Sequence, residues 1–328
     1  MKAKGGAERS PASADRAPAA ARLQLLAAAA LFSTGGAAVK ATTLSGWQVA
    51  GFRAVVAALA MLAMMPAARR LPNPRLLALA ATYASTMMLY ILANKLTTAA
   101  STIFLQATAP LYVLLLGPWL LRERIGRRDL AFMAAVALGL ALLFAGHDPA
   151  SATAPDPLLG NLLAAGSGLA WALTLVGLRG LERGRDAASA AASGEAPGAL
   201  SGSGPVALVW GNLTAAAVAL PMAFAAGPPL AASRGRDWLI VLYLGVFQVA
   251  LAYVFLNRGI ARVQALEASL LLLLEPVLNP VWAWLVHGER PGPWSLAGGA
   301  VILAATLLKG WLDTRPLVTG RRRGACRR

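Results

Sequence analysis

The run LLLLEPVLNP, residues 271–280, sets Glu275, Pro276, Asn279 and Pro280 among side chains that are otherwise apolar. A carboxylate in such a place can carry a proton or contact a cationic solute, and it can also serve as a structural acceptor between helices. On a helix Asn279 comes one turn after Glu275, so both side chains face the same way. Pro276 and Pro280 lack the N–H that would serve the carbonyls of Leu272 and Pro276, which predicts a kink with exposed carbonyls beside Glu275. Pro110 holds the matching place in an earlier apolar run, FLQATAPLYVLLL, residues 104–116. Arg53 is the other ionisable residue well inside an apolar run. Its guanidinium could bind a carboxylate or phosphate on a solute, pair with Glu275, or snorkel to an interface. Glu275, Asn279 and Arg53 are therefore the candidate substrate-binding or coupling residues, and Pro276, Pro280 and Pro110 the helix-breaking residues beside them.

The elements that must carry these groups follow from composition. The 328 residues are 58% hydrophobic and 13% charged, against roughly 25% charged in soluble domains. An ionisable group at the centre of a bilayer costs about 2.5–3.5 kcal/mol, so it is kept where it faces a cavity or a partner. A span needs about 20 apolar residues. Ten runs qualify: 23–40, 47–66, 75–93, 98–120, 128–146, 158–179, 205–226, 237–256, 266–286 and 294–312.

The net charge of +16 does not indicate a nucleic-acid partner, because the basic residues sit in the gaps between spans rather than on one face. With the N-terminus cytoplasmic, 24 of the 30 Lys and Arg fall on the inside and only Lys40, Lys95, Arg234, Arg236 and Arg290 outside, Arg53 lying within a span. A multi-pass protein of the cytoplasmic membrane with both termini inside is expected. Cys326 is the only cysteine, and His147 and His287 form no spaced ligand motif, so no metal is expected. No glycine run matches a nucleotide loop, and no cofactor is expected.

Residues 104–125 align without gaps on 270–291, with Pro110 on Pro276 and Glu123-Arg124 on Glu289-Arg290. Each copy lies in the fourth span of a five-span block, and an odd block inserts its second copy with opposite polarity. The expected fold is all-α, ten transmembrane helices as two inverted five-helix repeats. The expected organisation is a disordered tail at 1–22, a first repeat at 23–146, an outer loop at 147–157, a second repeat at 158–312 with a flexible linker at 182–204, and a basic tail at 313–328.

The segment EASLLLLLEPVLNPVWAWLVHGERPGPWSLAGGAVILAATLL (267–308) resembles the closing part of EamA-type transporters of the drug/metabolite transporter superfamily. FSTGGAAVKATTLSGWQVAGFRAVVAALAML (32–62) is similar to their first two helices, and LLGNLLAAGSGLAWALTLVGLR (158–179) to the sixth. The chain departs from many relatives at Ser33-Thr34-Gly35-Gly36, where they carry Trp-Gly, and Ala109 stands opposite Glu275. The resemblance implies a secondary transporter, an exporter of a small metabolite or drug-like solute, working by alternating access and not an enzyme. Its partners would be the lipid bilayer and an unidentified small molecule, with protons as candidate coupling ion, in a monomer or homodimer. The alternatives are a channel or scaffold, which would need a continuous polar pore, and a membrane-embedded enzyme on a lipid-linked substrate, which would need an acidic cluster that no span contains.

Overall fold

The computed structural model describes residues 19–120, 125–146, 150–189 and 203–314. Ten helices among them are long and apolar enough to cross a membrane: α1 (Ala19–Lys40), α2 (Gly46–Met64), α3 (Pro74–Leu96), α4 (Ala99–Leu120), α5 (Arg127–Ala145), α6 (Pro157–Leu181), α7 (Gly204–Ala225), α8 (Gly235–Ile260), α9 (Glu267–His287) and α10 (Pro293–Asp313). Each expected span coincides with one of them to within about a turn. Glu123, Arg124 and His147 lie outside the described residues.

Local chemistry sets the helix ends. Ser45 and Gln48 open α2 with a reciprocal capping box, the Gln48 N–H donating to Ser45 Oγ at 3.2 Å and the Ser45 N–H to Gln48 Oε1 at 3.0 Å. Asn73 caps α3 through the Leu76 N–H at 2.8 Å, with Pro74 in the first turn. Thr98 caps α4 through the Ser101 N–H at 3.1 Å. The helix of α6 continues to Ser189, into the segment expected as linker; its Ala, Glu and Arg content favours helix once a neighbouring turn is already formed.

Packing between the halves follows a pseudo-twofold pattern. Helices α2 and α7 pack together, as do α5 and α10, and α4 and α9. The pairing of α3 with α6 is matched by that of α8 with α1. A two-repeat fold makes each of these contacts its own image or the image of another. At α5–α10 the helices touch backbone to backbone: a Cβ on Gly298 would sit 2.5 Å from the Gly139 carbonyl. Large apolar side chains such as Trp119, 87% exposed, and Trp294, 52% exposed, face outward as a lipid-facing surface requires.

Three spans are broken near the middle. In α1 the helix stops at Ser33 and resumes at Gly35. In α4 it stops at Gln106 and resumes at Ala109, and in α9 it stops at Leu272 and resumes at Leu274. The last two breaks occupy aligned positions of the repeats. They also correct the expected kink: Pro110 and Pro276 lie in the first turn of a new helical segment, where an N–H has no intrahelical partner to lose. Pro280 sits within the continuous helix Leu274–His287. Non-helical backbone at this depth is tolerated where protein or a cavity surrounds it.

Candidate functional site

The broken helices meet at a central cavity of about 280 Å³. Both repeats line it: Phe32, Arg53, Tyr90 and Gln106 come from the first, and Trp171, Gln248, Tyr253 and Glu275 from the second. A second cavity of about 360 Å³ shares Gln106, Trp171, Leu272 and Glu275 with it, and runs between Pro110, Pro276, Ser269 and Gly310 toward the end of the bundle where α1 begins and α10 ends. Glu275 therefore stands where the two cavities adjoin, directly after the break in α9.

The candidate residues separate into three positions. Glu275 faces the chamber and makes no hydrogen bond or ion pair with the described residues. Arg53 is 2% exposed, so it does not snorkel, and it is not paired with Glu275 either. Its Nη1 donates to Gln248 Oε1 at 3.3 Å, and its Nε is buried without a partner. Gln248 belongs to a π-helical turn, Leu244–Leu251, in α8, a local widening that often marks functional places. Asn279 is fully buried and lies outside the cavity wall, donating through Nδ2 to the hydroxyl of Tyr90, a wall residue, at 3.1 Å.

Beyond Asn279 the bundle is closed. Gly36 fits against Asn279, Asn94 and Ala99 so tightly that a Cβ would lie 2.6 Å from Asn279 Oδ1 and 2.9 Å from the Ala99 Cβ. The next layer is an ion pair between Lys40 and Glu289, 2.9 Å apart with each side chain 3% exposed. Lys40 also donates to the backbone carbonyl of Thr97 at 2.7 Å and to that of Thr153. Glu289 accepts from the Ala99 N–H at 2.6 Å, at the start of α4. Nearer the end opposite the termini, Asp237 accepts from the Thr43 N–H at 2.9 Å and the Thr43 hydroxyl at 2.6 Å, and Lys95 donates to the Thr42 carbonyl at 2.8 Å. Lys40 thus differs from the interfacial lysine that its place at a span end suggests.

Several wall residues carry no signal in the sequence. Phe32, Met87, Tyr90, Gln106, Gln248 and Tyr253 lie in runs whose lipid-facing side is equally apolar, so no periodicity marks the inward side. Trp171 is also at the wall. Trp282 instead donates to the Ser33 hydroxyl at 2.9 Å, beside the break in α1.

Comparison with known proteins agrees with this architecture. A solved crystal structure aligns over 90% of this chain and 99% of its own with a TM-score of 0.58 and 21% identity, a likeness of fold. A probable terminal-alkyne amino-acid exporter of Streptantibioticus cattleyicolor is 37% identical over 106 residues, covering 32% of this chain and 35% of that protein. A pseudopaline exporter of Pseudomonas aeruginosa is 32% identical over 72 residues, 22% of this chain and 25% of its own length. The aligned stretches thus span about a third or less of those relatives. The model of the EamA-like transporter family matches residues 20–145 and again 187–310. With the two matches together covering most of a chain whose helices pack as two related halves, the protein belongs to the EamA-like transporter family.

Proposed function

We propose that this chain is a secondary transporter of the cytoplasmic membrane that exports a small metabolite by alternating access, with both termini in the cytoplasm and Glu275 at the central site. The observation that carries this reading is a chamber lined by both repeats, continued by a second cavity toward the end where α1 begins, with the buried Lys40–Glu289 pair lying toward the opposite end. A chamber continued toward one end and covered toward the other by a buried ion pair suits a carrier that rocks between two states, whereas a channel needs a through path. The central chamber alone, about 280 Å³, falls just under the roughly 300–1,000 Å³ that holds drug-sized ligands, which favours a small metabolite. The exporter names of the two bacterial relatives point in the same direction.

In this reading Glu275 binds a proton or a cationic group of the solute, since a half-buried carboxylate without a protein partner needs one or the other. The experiment is a comparison of medium and cell contents by mass spectrometry after expression of the wild type and of Glu275→Gln. A solute that accumulates in the medium with the wild type alone supports transport through this chamber. Equal solute profiles for both proteins and for the empty host would refute it.

A further inference from the structure

We infer that Arg53 is a carboxylate-binding subsite of the chamber, the point that holds the acidic group of the transported solute. This deepens the transport reading above and rests on it. A guanidinium keeps its charge at all working pH values, and its five donors form a planar fork that matches a carboxylate. Here that fork is 2% exposed, makes one hydrogen bond to a neutral amide, and leaves Nε without a partner. A buried charge of this kind requires a counter-charge.

The described carboxylates that could supply one are engaged elsewhere. Glu289 holds Lys40, Glu267 holds Arg22 at 2.5 Å, Asp129 and Asp313 hold Lys309, and Asp237 is bound to Thr43. Glu275 is free but not within ion-pair distance of Arg53. Because Arg53 lines the chamber, the missing anion can arrive from within it. Gln248 accepts one hydrogen bond from the fork, and Tyr90 and Tyr253 stand on the same wall. One fixed positive charge in a chamber that also holds the Glu275 carboxylate suits a monoanion better than a phosphate dianion. The apolar faces of Phe32, Val249 and Leu256 would receive the rest of the solute.

The test uses the purified full chain in detergent, with hexanoate and hexanamide as probes of equal chain length that carry an ionised carboxylate or a neutral amide, and thermal stabilisation as the readout. Hexanoate is expected to stabilise the wild type at a concentration at least about tenfold lower than hexanamide, a difference of ~1.4 kcal/mol. Arg53→Gln is expected to remove that difference, and Arg53→Lys, which keeps the charge and loses the fork, to reduce it and to serve where the glutamine variant does not fold. Equal responses of the wild type to acid and amide, or an acid preference that survives in Arg53→Gln, would overturn the subsite. Export by cells is measured separately, so a chain that transports but ignores the acid sinks only this inference.

Discussion

Glu275 and Arg53 both line the chamber, and neither has an ionic partner among the described residues. Their recognition needs nothing beyond the sequence, because a charge inside an apolar run is expensive enough to demand a reason. Replacing Glu275 by Gln preserves shape and hydrogen-bonding capacity, so the protein is expected to fold and purify as the wild type does. Its export rate should fall by about tenfold or more, the effect of losing ~1.4 kcal/mol of binding or coupling; unchanged flux in a vesicle assay would remove Glu275 from the mechanism. Gly36 is a second residue with a definite expectation. A methyl group there meets Asn279 Oδ1 at 2.6 Å and the Ala99 Cβ at 2.9 Å. Overpacking of this order costs about 1–3 kcal/mol, so Gly36→Ala should lower the thermal midpoint in detergent, and an unchanged midpoint would mean that the closed layer is looser than described.

At the scale of elements, the breaks in α1, α4 and α9 do the positioning. The aligned breaks before Pro110 and Pro276 place those prolines where they start a helical segment, and the α9 break brings Glu275 to the junction of the two cavities. The prolines were legible as signs of irregular backbone, but not the exact point of the break. A proline forbids its own N–H bond and does not say whether the helix bends through that point or restarts before it. The segment of α1 after its break carries Lys40 to Glu289. Single truncation by Lys40→Met strands a buried carboxylate and should cost about 3–5 kcal/mol, while Lys40→Met with Glu289→Leu should recover much of it. If this layer is the gate, the double variant will leave the chamber accessible from the end opposite the termini. A cysteine at Met87, on the chamber wall, in a Cys326→Ser background should then react faster with an impermeant thiol reagent added from outside. Equal labelling rates with and without the double substitution would assign the pair to stability alone.

For the whole molecule, the ten spans and the duplication were readable because apolar length and internal alignment are properties of the chain itself. The Lys40–Glu289 pair was not, because each residue alone looks like an ordinary span end and only the packing of α1 against α9 brings them together. The same holds for the aromatic wall, whose residues become distinct from lipid-facing ones once the two repeats enclose a space. The proposed orientation, with the positive loops inside, also makes a topological prediction. In intact cells a cysteine at the exposed Ser151, in the Cys326→Ser background, should react with impermeant reagent, whereas Cys326 in the otherwise native chain should react only after permeabilisation. The reverse pattern would invert the assigned orientation.

The central claim is transport of a small metabolite through a chamber that depends on Glu275. It is tested most directly by loading the extract of producing cells into proteoliposomes and following, by mass spectrometry, which solutes leave when a proton gradient is applied. Wild-type protein is predicted to release a defined solute that vesicles carrying Glu275→Gln retain. Release of the same solutes from both sets of vesicles, or from neither, would contradict the account.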